Sequence, residues 1–150
     1  MVRRCDMDDS ARLIVGAIGT YPVSTLGETL TSATIDRQAA ANKSGQSVAQ
    51  SAVLGLIVGT IDACDTFSAS CKLQHASTDT PSAFSDVTGG AVTTITSKTS
   101  NSVAPVAIDL GPLKRYLRIV SVVAMTGGVS PTALVSTILM LSGYESLPTF

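Results

Sequence analysis

Two long apolar runs, Leu117–Met125 and Ala133–Leu141, stand either side of the turn-rich TGGVSPT and set the frame for the rest of the chain. Both are dense in β-branched residues (Ile119, Val120, Val122 and Val123; Val135, Thr137 and Ile138), which suit a pleated, well-packed surface. No charged residue lies between Arg118 and Glu145, a pattern that at first suggests a membrane span. Each arm, however, is far shorter than the ~20 residues that a membrane helix needs, and Gly127, Gly128, Ser130 and Pro131 break the run. The pattern predicts a buried β-hairpin.

Upstream, Thr29–Arg37 alternates as an exposed or edge strand would, with Leu30, Ser32, Thr34 and Asp36 on one side. Ser51–Thr60 is apolar on both faces, as expected of a central strand between two layers. Phe67–His75 predicts a half-buried strand with Phe67, Ala69, Cys71 and Leu73 inward. Ala83–Val87 predicts a brief pairing. Ala91–Thr96 predicts a strand with Val92, Thr94 and Thr96 on one face, and Val103–Leu110 another, closed by Gly111-Pro112. Polar, turn-forming stretches separate them: DACDT, HASTDTPSAFSDVTGG and SKTSNS, with QAAANKSGQS as a loop or helical turn. About eight short strands and no convincing helix make an all-β antiparallel sandwich or barrel. Residues 1–29 mix charges of both signs around one short apolar element, LIVGAIG. They read as a partly ordered terminal segment or as an arm that orders on a neighbouring subunit, with the β-sandwich domain expected over residues 30–150.

Composition adds one constraint. Across 150 residues, hydrophobic residues make up 45% and charged residues only 14%, where an ordinary soluble chain carries about 25% charge. Mean hydropathy is +0.37. One domain of this kind is expected to turn some apolar surface toward another subunit or partner. The net charge of −1, the lack of a basic run, and the absence of Trp argue against a nucleic-acid partner, which needs a concentrated basic face or stacking platform. Cys5, Cys64 and Cys71 form no disulfide framework, and Cys64 and Cys71 are expected as buried free thiols. Acidic residues at 6, 8 and 9 spoil any signal-peptide pattern, so synthesis in the cytoplasm is expected.

Candidate chemistry is sparse. The sole histidine, His75, stands at a strand end with no nucleophile signature near the serines. Asp62, Asp65, Asp79 and Asp86 fall in predicted turns, where Asp is favoured anyway; a shared calcium site is the alternative. Neither TGG, at 88–90 nor at 126–128, continues into the Lys-Ser/Thr and helix that a phosphate loop requires. No catalytic residue, metal or cofactor is assigned. What remains is Lys114, Arg115, Tyr116 and Arg118, with Lys114, Tyr116 and Arg118 expected on one strand face and Arg115 with Leu117 on the other. This is either a solvated strand entrance or a docking surface, for which Arg and Tyr are well suited. Arg3 and Arg4 in the terminal segment are a second candidate contact.

TSATIDR (31–37), the stretch from KLQHASTD (72–79) to FSDVTGG (84–90), IDLGPLKRYLR (108–118), TGGVSPTALVS (126–136) and the closing GYESLP together resemble the jelly-roll cement, or decoration, proteins of tailed bacteriophage heads. The resemblance runs over roughly residues 30 to 148. It implies a jelly roll of two antiparallel sheets on the outer surface of the virion, a homodimer or homotrimer clamped across neighbouring major capsid protein subunits, and no enzyme activity. Another virion part (tail, fibre or adaptor) and a carbohydrate-binding or adhesion module are the alternatives, the latter disfavoured by the lack of Trp.

Overall fold

The computed structural model describes residues 12–22, 28–37, 49–62, 64–96, 102–128 and 132–142. Arg3, Arg4 and Cys5, the loop expected over 38–47, most of SKTSNS and the tail GYESLP lie outside the described residues.

Nine strands follow in order: β1 (Arg12–Pro22), β2 (Glu28–Thr31), β3 (Ile35–Asp36), β4 (Ser51–Asp62), β5 (Thr66–Ala76), β6 (Ser85–Ala91), β7 (Ser102–Asp109), β8 (Tyr116–Thr126) and β9 (Thr132–Ser142). A 3-10 turn, Pro81–Ala83, precedes β6. The chain doubles back on itself about the β5–β6 pair: β4 lies antiparallel to β7, β2 and β3 to β8, and β1 to β9. The doubled ribbon then rolls up, adding β9 against β4 and β8 against β5. The sheet orders β1-β9-β4-β7 and β2-β8-β5-β6, with β3 extending β2 along β8, are those of a jelly roll.

Period-two alternation places the core between the sheets. Leu54, Leu56 and Val58 of β4 and Leu139 and Leu141 of β9 point inward from one side; Phe67, Leu73, Leu117, Ile119, Val123 and Met125 point inward from the other. Each such side chain contributes roughly 1.5–3 kcal/mol through removal from water. The inward set expected for β5 is the one observed. At the edge, β2 and β3 are parts of the single strand expected over Thr29–Arg37. Between them Ser32 replaces a ladder contact: its Oγ accepts from the Ile119 amide at 2.9 Å, and its own amide donates to the Ile119 carbonyl at 2.9 Å.

Three expectations are corrected. The arms around TGGVSPT are β8 and β9, but they are not a hairpin, since they belong to opposite sheets. Both sides of β8 are occupied by β5 and by β2 with β3, and both sides of β9 by β1 and β4. Gly127 and Gly128, at φ of 72° and 82°, turn the chain out of one layer toward the other. Second, residues 92–96 are not an alternating strand. Val92 and Ile95 are buried; the Val92 amide donates to the Cys71 carbonyl, and Ile95 exchanges two backbone hydrogen bonds with Ala69 in an isolated bridge, so the segment runs irregularly beside β5. Third, Arg12–Pro22 is a full strand paired along β9, so the sandwich reaches upstream of residue 30.

Candidate interaction surfaces

The basic cluster expected over 114–118 is dispersed into pairings on the outer side of the β2-β8-β5-β6 sheet. Tyr116 and Arg118 do share the outward face of β8, opposite buried Leu117. Arg115 lies just before the strand and reaches across to β3 rather than following Leu117. Its Nε and Nη2 donate to the two carboxylate oxygens of Asp36 at 2.9 and 2.6 Å, and its guanidinium lies 5.0 Å from the Tyr116 ring centre. That bidentate bond raises the Arg115 pKa above its ordinary value. Arg118 stacks on Phe84 at 4.1 Å and donates through Nε to Gln74 at 2.8 Å. Gln74 in turn donates to Asp86 at 2.6 Å, and Lys72 donates to the other Asp86 oxygen at 2.7 Å. Hydrogen bonds from Lys72 and Gln74 hold the Asp86 carboxyl below the usual carboxylate range. Lys114 is exposed at the rim. Asp36, Gln74, Phe84 and Asp86 carry this network without a local sequence signal, because their partners are 12 or more residues away.

The outer side of the other sheet has the opposite chemistry. The register aligns Met140, Val53 and Ala107 in one row, Ile138, Gly55 and Pro105 in the next, then Ser136, Ile57 and Val103. Leu134 follows, leaning over Gly59. Val103 of β7 is 63% exposed, and Met140 and Leu134 of β9 are 45% and 42%, so large apolar side chains meet solvent on both sides of β4. No charged side chain lies among these rows; Asp109 marks their rim. Ser51–Thr60 lies centrally in its sheet, yet among the described residues a second layer covers only its inward face.

Among the described residues neither surface brings together a set of groups arranged for catalysis. His75, Asp86, Thr88, Asp109 and Leu113 line a cleft of about 400 Å³ between the β6 and β7 edges. His75 Nδ1 accepts from the Lys114 amide at 3.4 Å, and burial, aided by the Lys114 charge, lowers the imidazole pKa. Asp109 accepts from the Gly111 amide at 2.9 Å, a local turn. Among the described residues no group of three His, Cys, Asp or Glu side chains converges as a metal site. Cys71 is a buried free thiol, its pKa pushed up to about 12 by burial, while Cys64 is half-buried.

No protein-family profile matches the chain, and no curated protein matches it. Twelve chains of solved structures do. A chain from the structure of infectious bursal disease virus, Gx strain, is 15% identical with a TM-score of 0.41, over 95% of this chain and 36% of that one. This chain thus spans little more than a third of that neighbour's length. A chain from desmodium yellow mottle tymovirus is 11% identical with a TM-score of 0.34, over 100% of this chain and 97% of that one. Overlap this loose carries no argument about function; the jelly roll rests on the strand order itself.

Proposed function

We propose that the protein is a structural part of a virus particle: a cement protein on the outside of a tailed-phage head, bridging major capsid protein subunits and associating with itself. The observation that carries this reading is the contrast between the two outer sheet faces of a jelly roll, one polar and internally paired, the other apolar and, among its described central rows, free of charged side chains. The motifs shared with cement proteins support it, as does a surface without a convergent catalytic set among the described residues. A protein that binds only the assembled shell stabilises it by mass action, and many modest contacts on one lattice reinforce each other. Lys114, Arg115, Tyr116 and Arg118, with Arg3 and Arg4 of the terminal segment, are the proposed contacts to the shell.

Quantitative mass spectrometry of purified virions tests the reading. A copy number of the same order as the major capsid protein is expected. A handful of copies per particle assigns the chain to the tail or portal instead, and its absence from virions overturns the structural role.

A further inference from the structure

The apolar outer face has a shape as well as a composition. Gly55 leaves a pit: a Cβ built there meets only the Ile138 carbonyl oxygen, at 3.9 Å. Two residues along β4, Ile57 rises beside it on the same face, and both sit mid-sheet between β9 and β7. A two-fold axis in the plane of this face, perpendicular to β4 at the level of Leu56, exchanges the two positions. Ile57 of each copy then lies over Gly55 of the other, and Ser136 over Ile138, the reciprocal relation that an isologous contact demands. We infer that this face is a homodimer interface, with Ile57 of each copy seated in the Gly55 pit of the other.

Three observations favour a second copy over an unrelated partner. Among the described side chains, the rows from Met140 to Val103 carry no charge and Asp109 stands at their rim, so two copies meet there without like-charge repulsion or burial of an unpaired ion. Its pit and knob are matched by its own rotation. And the β7 edge of the sheet is blunted against strand addition, because Pro105 sits mid-β7 with no amide to donate, which favours contact through the face over pairing at that edge. Four strands at ~4.8 Å spacing and seven residues at ~3.4 Å rise give a footprint of about 19 by 24 Å, hence about 900 Å² over both copies. A standard stable interface buries ~1,200–2,000 Å². The dimer is accordingly weak in solution and grows with concentration.

The inference shares with the proposed function only the premise of self-association. Sedimentation velocity over a series from low micromolar to near-millimolar protein tests it. The wild-type mass is expected to rise toward the dimer. Gly55→Val, whose Cβ fits the monomer, and Ile57→Lys are expected to stay monomeric, with the β-sheet spectrum kept and the Gly55→Val melting temperature unchanged or raised. Val122→Lys, on the outer face of the other sheet, is expected to dimerise as the wild type does. A wild type that stays monomeric or forms trimers overturns the interface, as does a Gly55→Val dimer of wild-type strength or loss of the dimer in Val122→Lys. Virion copy number and solution mass are independent readouts, so this face and the cement role fail separately.

Discussion

Arg37 Nη2 donates to the carbonyl oxygen of Ala49 at 2.8 Å, while Nη1 of the same guanidinium donates to Leu113 at 2.8 Å. One buried side chain thus ties the end of β3 to the approach to β4 and to the turn before β8. Burial lowers its pKa, and Nε has no partner among the described residues. Replacing Arg37 with Leu removes the buried charge but strands two carbonyls. Hydrogen bonds to charged groups contribute ~1.5–3 kcal/mol each and desolvation of the cation offsets part of that, so a net loss of about 1–3 kcal/mol is expected. Urea unfolding of the variant measures it; a midpoint equal to wild type would show that the clamp is dispensable.

Two positive-φ glycines separate backbone strain from crowding. Gly89, at φ of 74°, has open space where a Cβ would stand, so Gly89→Ala is expected to cost only about 1 kcal/mol. A Cβ at Gly127, also at positive φ, collides with the Asp65 side chain. Gly127→Ala is therefore expected to cost clearly more than Gly89→Ala, with Asp65→Gly recovering part of the difference in a double-mutant cycle. Equal losses would mean that the β8–β9 crossing tolerates the extra atom.

His75 gives the fold a dependence on mild acid. Its folded pKa lies below the unfolded value of about 6.5, from burial first and Lys114 second. The unfolded chain therefore binds the proton more readily, and the contribution present above pH about 6.5 is lost as pH falls through the folded pKa. Unfolding midpoints are expected to fall between neutral and mildly acidic pH, and to fall less in His75→Gln. The same slope in both proteins would assign the effect to other groups.

Thiol chemistry should divide the two described cysteines. Cys71 is buried, with a pKa of about 12, whereas Cys64 is half-buried in the turn before β5. Peptide mapping after brief native alkylation at mildly alkaline pH is expected to find Cys64 modified and Cys71 intact until denaturant is added. Early labelling of Cys71 would reveal local opening of β5.

On particles, removing charge at Lys114, Arg115 and Arg118 together is expected to lower occupancy of the shell. Quantifying bound protein after mixing with undecorated heads decides the matter, and unchanged occupancy removes these residues from the contact.

What was legible in the sequence is what one strand can encode alone. Phe67, Ala69, Cys71 and Leu73 alternate with polar neighbours, so a period of two named the buried face of β5 correctly. Pairing is a relation between strands, and there local pattern is silent. The turn residues between Met125 and Ala133 suit a hairpin and a crossing between layers equally. The element in LIVGAIG was visible, but its place beside β9 depends on residues more than a hundred positions away. Arg115 gave no sign of Asp36, 79 residues distant, and Arg37 looked like an ordinary edge residue. The apolar outer face was half legible: SAVLGLIVGT announced two apolar sides, and the missing information was that, among the described residues, only one has a layer upon it.

The placement of β9 between β1 and β4 has a consequence for synthesis. The first and fourth strands leave the ribosome early, yet neither touches the other until the ninth is inserted between them. A nascent chain halted before Thr132 holds two apolar strands with a strand-wide gap, and only β9 closes it. Long-range pairing of this kind folds slowly. The four-stranded sheet is therefore completed only once β9 has been made, and until then the edges of β1 and β4 that face each other stay unpaired.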